Sequence, residues 1–96
     1  MKKIYKQFLE NKEEQVIQLK AGDRFLLKFG VQDGAICFWY LHDDQAALVN
    51  VTIYIKPTGW NFDVTEESLI DYYVDTIQLS DKIVFHIFMK VEQIKS

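Results

Sequence analysis

Residues 24–43 read RFLLKFGVQDGAICFWYLHD. Asp33-Gly34 lies at the middle of this stretch, between two apolar-rich runs. An Asp-Gly pair in that setting favours a two-residue type I′ turn, because both turn positions need φ > 0. Such a turn sets the register of the two strands that it joins. Gln32 then faces Ala35, Phe29 faces Phe38, Leu27 faces Tyr40 and Arg24 faces Asp43. One face of the hairpin carries Phe25, Leu27, Phe29 and Val31 against Ile36, Phe38, Tyr40 and His42, and reads as core. The other is mixed: Arg24, Leu26 and Lys28 against Asp43, Leu41 and Trp39, with Gly30 opposite Cys37.

Outward from the hairpin, the same alternation marks further strands. Lys3 to Leu9 sets Ile4, Lys6 and Phe8 against Tyr5, Gln7 and Leu9. A charged turn at 10–14 leads to Gln15–Lys20, where Ile17 and Leu19 share one face. Leu48 to Lys56 places Val49, Val51, Ile53 and Ile55 on a core face, with Asn50, Thr52, Tyr54 and Lys56 on the other. Pro57-Thr58-Gly59 ends that strand, since Pro has no donor for a ladder. Asp63 with Glu66 forms a capping-box pattern, which predicts a helical turn over 64–69. Tyr72 to Leu79 reads as a strand or as a continuation of that helical turn, and its β-branched and aromatic residues favour the strand. Lys82 to Glu92 is apolar on both faces at its centre, which predicts a central or covered strand. The fold expected is all-β: a small antiparallel β-sandwich or curled sheet of about seven strands with one short helical turn, in a single domain over residues 1–96.

Of the 96 residues, 49% are apolar and 15% aromatic. A chain this short hides only part of its apolar surface, so an excess of greasy faces points to self-association. The formal net charge of −3 argues against a general nucleic-acid binder, whose affinity comes from many Lys and Arg contacts to phosphate. It leaves room for a small anion held by a few basic groups. Cys37 is the only cysteine and falls inside a strand, where a thiol behaves as a small hydrophobe. The opening MKKIYKQFLENKEE has no apolar run of the signal-peptide kind, and no run reaches membrane-spanning length. A cytoplasmic protein with no membrane partner is expected.

Catalytic patterns do not emerge. His42 and His86 stand in no metal-ligand spacing. Ser68, Ser80 and Ser96 fall in turns, a cap and the terminus, and no nucleophile motif surrounds them. The glycines are too scattered to cradle a phosphate. No enzyme, metal or cofactor is expected. What remains is aromatic and basic. The mixed hairpin face reads in two ways: a solvated face with a Lys28–Trp39 cation–π pair and an Arg24–Asp43 ion pair, or a binding surface. In the second reading Trp39, Tyr54 and Trp60 offer stacking platforms, and Arg24, Lys28, Lys56 and Lys90 meet anionic groups. His86 joins that set as the polar ring of an otherwise apolar strand. Trp60, following Pro-Thr-Gly, has three roles open to it: core cap, subunit contact or ligand contact.

The order of short elements carries a resemblance. Lys3-Ile4-Tyr5-Lys6, Gln15-Val16-Ile17-Gln18-Leu19-Lys20-Ala21-Gly22, Phe38-Trp39 with Asp43-Asp44, Gly59-Trp60, and Thr76-Ile77-Gln78-Leu79 with Val84-Phe85-His86-Ile87-Phe88 follow one another. This order resembles a family of small all-β proteins carried by bacteriophages and prophages, over nearly the whole chain. Where such proteins usually have Val or Leu in the hairpin, this chain has Phe25, Phe29 and Phe38, so its core is expected to pack differently. The resemblance implies phage origin and a homo-oligomer, and brings no catalytic residues with it. It implies a non-enzymatic binder that sequesters a nucleotide-derived immune signal, such as a cyclic nucleotide or a cyclic ADP-ribose species, in a pocket of the oligomer. The alternative expectation is an accessory protein that acts through contacts with a host or phage protein.

Overall fold

The computed structural model describes residues 1–62 and 64–94. Seven strands form in chain order: β1 (Lys2–Phe8), β2 (Glu14–Lys20), β3 (Leu26–Gln32), β4 (Ala35–Asp43), β5 (Leu48–Pro57), β6 (Tyr73–Gln78) and β7 (Val84–Gln93). A 3-10 helix (Val64–Tyr72) lies between β5 and β6. It runs through Tyr72, which the sequence assigns to a strand, so β6 begins one residue later than expected. Asp63, half of the expected capping box, lies outside the described residues.

The strands make two antiparallel sheets, of order β1-β4-β3 and β2-β5-β7-β6. Their inner faces pack together as an antiparallel sandwich. The core holds Phe29, Ile36, Phe38 and Tyr40 from the first sheet against Val49, Val51, Ile53, Ile55, Ile77, Ile87 and Met89 from the second. Leu9, Leu19, Ala21 and Phe25 close it from the strand ends and loops. Phe38, Val51, Ile53 and Ile87 are wholly buried, each worth roughly 1.5–3 kcal/mol of transfer free energy. The alternation along β5 is the cause: its aliphatic β-branched residues Val49, Val51, Ile53 and Ile55 all fall on one side of the pleat. As expected for a strand apolar on both faces, β7 is central, between β5 and β6.

The hairpin turn forms where the sequence puts it, with φ of 53° at Asp33 and 77° at Gly34. The expected register holds from Gln32–Ala35 through Lys28–Trp39. Beyond that it shifts. A bulge between Leu26 and Lys28 brings Leu26 opposite Tyr40, and the Leu41 N–H donates to the Phe25 carbonyl at 2.8 Å. The extra residue is Leu27, which is 51% exposed and not in the core. A bulge sets two residues against one and leaves one side chain unpaired. The expected Leu27–Tyr40 and Arg24–Asp43 pairings are therefore absent. Val31, also expected in the core, lies at the open edge of β3 and is exposed.

Candidate functional site

The residues expected to bind ligand fall on both sides of the sandwich. Trp39 and Lys28 project from the outer face of the three-stranded sheet, away from the core. There Lys6 of β1, Trp39 of β4 and Lys28 of β3 stand in one row across the strands. Gly30 shapes this row. A Cβ at Gly30 would come within 2.9 Å of Trp39 Cζ3, so the indole lies against the strand where no side chain lifts it. Lys6 Nζ donates to Gln32 Oε1 at 2.6 Å and sits 4.8 Å from the Phe8 ring centroid. Lys28 makes no ion pair among the described residues. The expected Lys28–Trp39 cation–π contact is absent too, although the two residues are in register.

Arg24 stands at one end of the same sheet, in the turn before β3. It lines a recess of about 150 Å³ with Lys2, Gly22, Asp23, Phe25, Leu41 and Asp43. It forms no ion pair with Asp43, because the bulge at Leu27 has removed the pairing that would hold them together. By parity the outer face of this sheet carries Lys2, Lys6 and Lys28 against the single acid Asp43, while Lys3 stands opposite His42 on the other parity. A basic face has thus formed on a chain whose net charge is negative.

Tyr54, Lys56 and His86 lie on the outer face of the four-stranded sheet, and the 3-10 helix covers part of it. Leu69 of the helix is buried, and Phe62 meets the Phe88 ring edge-on at 5.5 Å. Lys56 is only 3% exposed. Its ammonium donates to Glu13 Oε1 and to Glu66 Oε2. Burial favours the neutral amine, but hydrogen bonds and charge from Glu13 and Glu66 outweigh it and hold Lys56 above the ordinary lysine value of 10.5. The lysine ties the turn before β2 to the 3-10 helix, and its charge is already answered.

His86 is likewise engaged. Its Nε2 lies 2.7 Å from Thr58 Oγ1 and its Nδ1 lies 3.0 Å from Thr76 Oγ1, and the Tyr73 hydroxyl extends the chain through Thr76. Lys90 lies 5.0 Å from the Tyr72 ring centroid and 5.7 Å from that of Tyr54. Burial, followed by the negative charge of Glu14, pushes the Tyr54 hydroxyl up. Trp60 follows a turn with Gly59 at φ 91°. At 60% exposed it does not cap the core.

A cleft of about 280 Å³ opens between the sheets at one end, lined by Leu9, Ile36, Ile55, Leu79, Ile83 and Phe85 with Glu10 and Asn11. It contains no cation, so it does not suit a phosphate. Among the described residues no group of His, Cys, Asp and Glu could hold a metal ion, and no helix is long and apolar enough to cross a membrane.

The structure therefore sets Trp39 beside Lys28, with Arg24 at one end of the same sheet, and on the far side it holds Tyr54, Lys56 and His86. It does not unite the two groups. Sequence reasoning missed Lys6 and Gly30, both first-row neighbours of Trp39. Gly30 opposite Cys37 followed from the turn, but the pairing of β1 with β4 joins residues 29 to 41 positions apart, from Phe8–Cys37 to Lys2–Asp43, with no local signal.

Neither the curated proteins nor the solved structures hold a significant match to this chain. The model of one domain family, described as a domain of unknown function (DUF7352), matches residues 1–96. The two-sheet sandwich with its basic outer face is thus the structure of a member of that family: the chain belongs to DUF7352.

Proposed function

We propose that this protein is a non-catalytic binder of a small anionic, ring-bearing metabolite of the nucleotide class, taken up on the outer face of the three-stranded sheet. The row Lys6–Trp39–Lys28 supports the reading. An indole laid against the sheet over Gly30 offers a broad face to a base, and stacking of this kind contributes about 1–3 kcal/mol per base. Ammonium groups on both flanks meet phosphate, with Lys2 and Arg24 further along the same face. Neighbouring strands lie about 4.7–4.9 Å apart, so the two lysines stem from points roughly 10 Å apart on either side of the indole, which matches a base and its phosphates better than a single ion.

The resemblance to small phage proteins extends the reading. On that basis the ligand is a cyclic nucleotide or a cyclic ADP-ribose species, the protein a homo-oligomeric sponge in the host cytoplasm, and the result a blunted anti-phage defence. Lys56 of the other face takes no part, since it is held by Glu13 and Glu66.

Thermal-shift and calorimetric titration with cyclic nucleotides and ADP-ribose derivatives tests this directly. A ligand that binds the native state raises the melting temperature by mass action. In a Trp60→Phe background the remaining Trp39 fluorescence is expected to quench on binding. Trp39→Ala and Lys28→Ala are expected to remove most of the shift, and ligand recovered after heating is expected to be unmodified. A shift that survives both substitutions would place the ligand elsewhere, and altered ligand would make the protein an enzyme.

A second reading, docking on a host or phage protein, draws on the apolar cleft and on Ile4 and Phe8, which are exposed on the basic face. It gains if no nucleotide moves the transition and a purified partner binds with loss on Ile4→Ser or Ile83→Ser.

A further inference from the structure

Four strands have an open side: β1 and β3 in one sheet, β2 and β6 in the other. Open edges invite pairing with another chain, and natural proteins blunt them with lysines, bulges or short strands. Three of these edges are blunted. β1 carries Lys2, Lys3 and Lys6. β3 has its bulge between Leu26 and Lys28. β6 spans 6 residues and has a register shift between Tyr73 and Asp75. β2, EQVIQLK, has an unbroken register against β5, with no proline and no lysine before its last residue.

The hydrogen-bond phase of β2 is fixed. The Ile55 N–H donates to the Glu13 carbonyl at 2.9 Å. In an antiparallel pair, residues alternate between those bonded to the neighbour and those turned away. Gln15, Ile17 and Leu19 therefore point their backbone groups at β5. Glu14, Val16, Gln18 and Lys20 point theirs to the open side.

We propose that two copies of this chain join edge to edge through β2, antiparallel, about a two-fold axis at Ile17. In this register Glu14 lies opposite Lys20 of the second copy, and Val16 opposite Gln18. Every residue with outward backbone groups meets another such residue. The ladder is complete, and the two-fold places a Glu14–Lys20 pair at each end. Sliding the strands by two residues shortens the ladder and sets Glu14 against Gln18. The paired residues also share a face. Glu14, Val16, Gln18 and Lys20 lie outside, where Val16 is 59% exposed. Ile17, which is half-buried at the rim of the core, meets its own symmetry mate on the inner side. The two four-stranded sheets become one continuous sheet.

The proposal names the seam of the homo-oligomer and stands whether or not a nucleotide binds. Sedimentation equilibrium of the ligand-free full chain, from micromolar to millimolar loading, is expected to show a dimer. Glu14→Lys sets Lys against Lys at both ends of the seam, and Lys20→Glu sets Glu against Glu. Each is expected to raise the dimer dissociation constant by about tenfold or more. The two variants mixed restore complementary ends and are expected to form a heterodimer. Val16→Pro removes an outward N–H without touching the β2–β5 ladder, and is expected to give a folded monomer by circular dichroism. A wild type that stays monomeric at millimolar loading overturns the proposal. So does a dimer whose dissociation constant is unmoved by Glu14→Lys and Val16→Pro, or a mixture of charge variants that fails to associate.

Discussion

The two outer faces of the sandwich hold similar residues and put them to different use. On the four-stranded sheet the two cations beside the helix are already engaged: Lys56 by Glu13 and Glu66, Lys90 by the rings of Tyr72 and Tyr54. A helix lies over part of that face, and a Thr58–His86–Thr76–Tyr73 chain links four of its polar groups. On the three-stranded sheet no helix of the described residues lies on top, and among the same residues Lys28 has no acidic partner. Charge and aromaticity alone do not make a binding surface. What separates the faces is whether the chain itself supplies the counter-ion and the lid.

The largest expected effect breaks the covered face. Lys56→Met leaves two carboxylates without their cation. Breaking a buried pair costs about 3–5 kcal/mol, and because Glu13 is half exposed a loss of about 2–3 kcal/mol is expected here. For a domain of this size that lowers the melting temperature by roughly 10–20 °C, read by calorimetry. Lys28→Met on the open face is expected to change stability by no more than about 0.5 kcal/mol. Equal losses from the two would erase the distinction.

The pH dependence sharpens the same contrast. Lys56 is raised in the folded protein, so its contribution is full below the unfolded lysine value. It is lost as pH climbs through the higher folded value, above the ordinary 10.5. Urea denaturation of wild type through that alkaline range is expected to show a fall in stability that Lys56→Met lacks. Tyr54 and Tyr40, also raised by burial, titrate in both proteins, so the difference between the two curves isolates the lysine.

The smallest effect concerns the open face. Gly30→Ala places a methyl group 2.9 Å from Trp39 Cζ3. The tip of the indole can swing away, so a net stability change of no more than about 1 kcal/mol is expected. The emission of Trp39, followed in the Trp60→Phe background, is expected to move to longer wavelength as the ring enters water. Nucleotide affinity should fall with it. Unchanged emission would mean that the glycine does not set the ring.

How far this was legible before the fold was known depended on distance along the chain. The Asp33-Gly34 turn needs only its own backbone preferences, and it formed with the expected register for the nearest residues. The strands and the core face of β5 followed from alternation. Leu27 shows where local rules stop. Nothing in RFLLKF distinguishes a continuous strand from one with an extra residue, because Phe25 and Leu26 can both turn inward once the ladder slips. Trp39 and Lys28 came from the hairpin itself, whereas Lys6 needed the strand order β1-β4-β3. Lys56 was placed on the outer parity of β5, but its burial depends on Glu13 and on a helix ten residues downstream. Parity assigns a side of the sheet, not what will be laid over it.

Cys37 stands in register between Phe8 and Gly30, beside the Trp39 row, and none of its surface is exposed. Burial pushes its thiol up, against the opposing pull of Lys6. Alkylating reagents attack the thiolate, so modification must wait until this part of the sheet opens. The chain thus carries its own chemical stopwatch. The rate at which a maleimide consumes this sulfur follows the fraction of time that this part of the sheet stands open, with no foreign label attached.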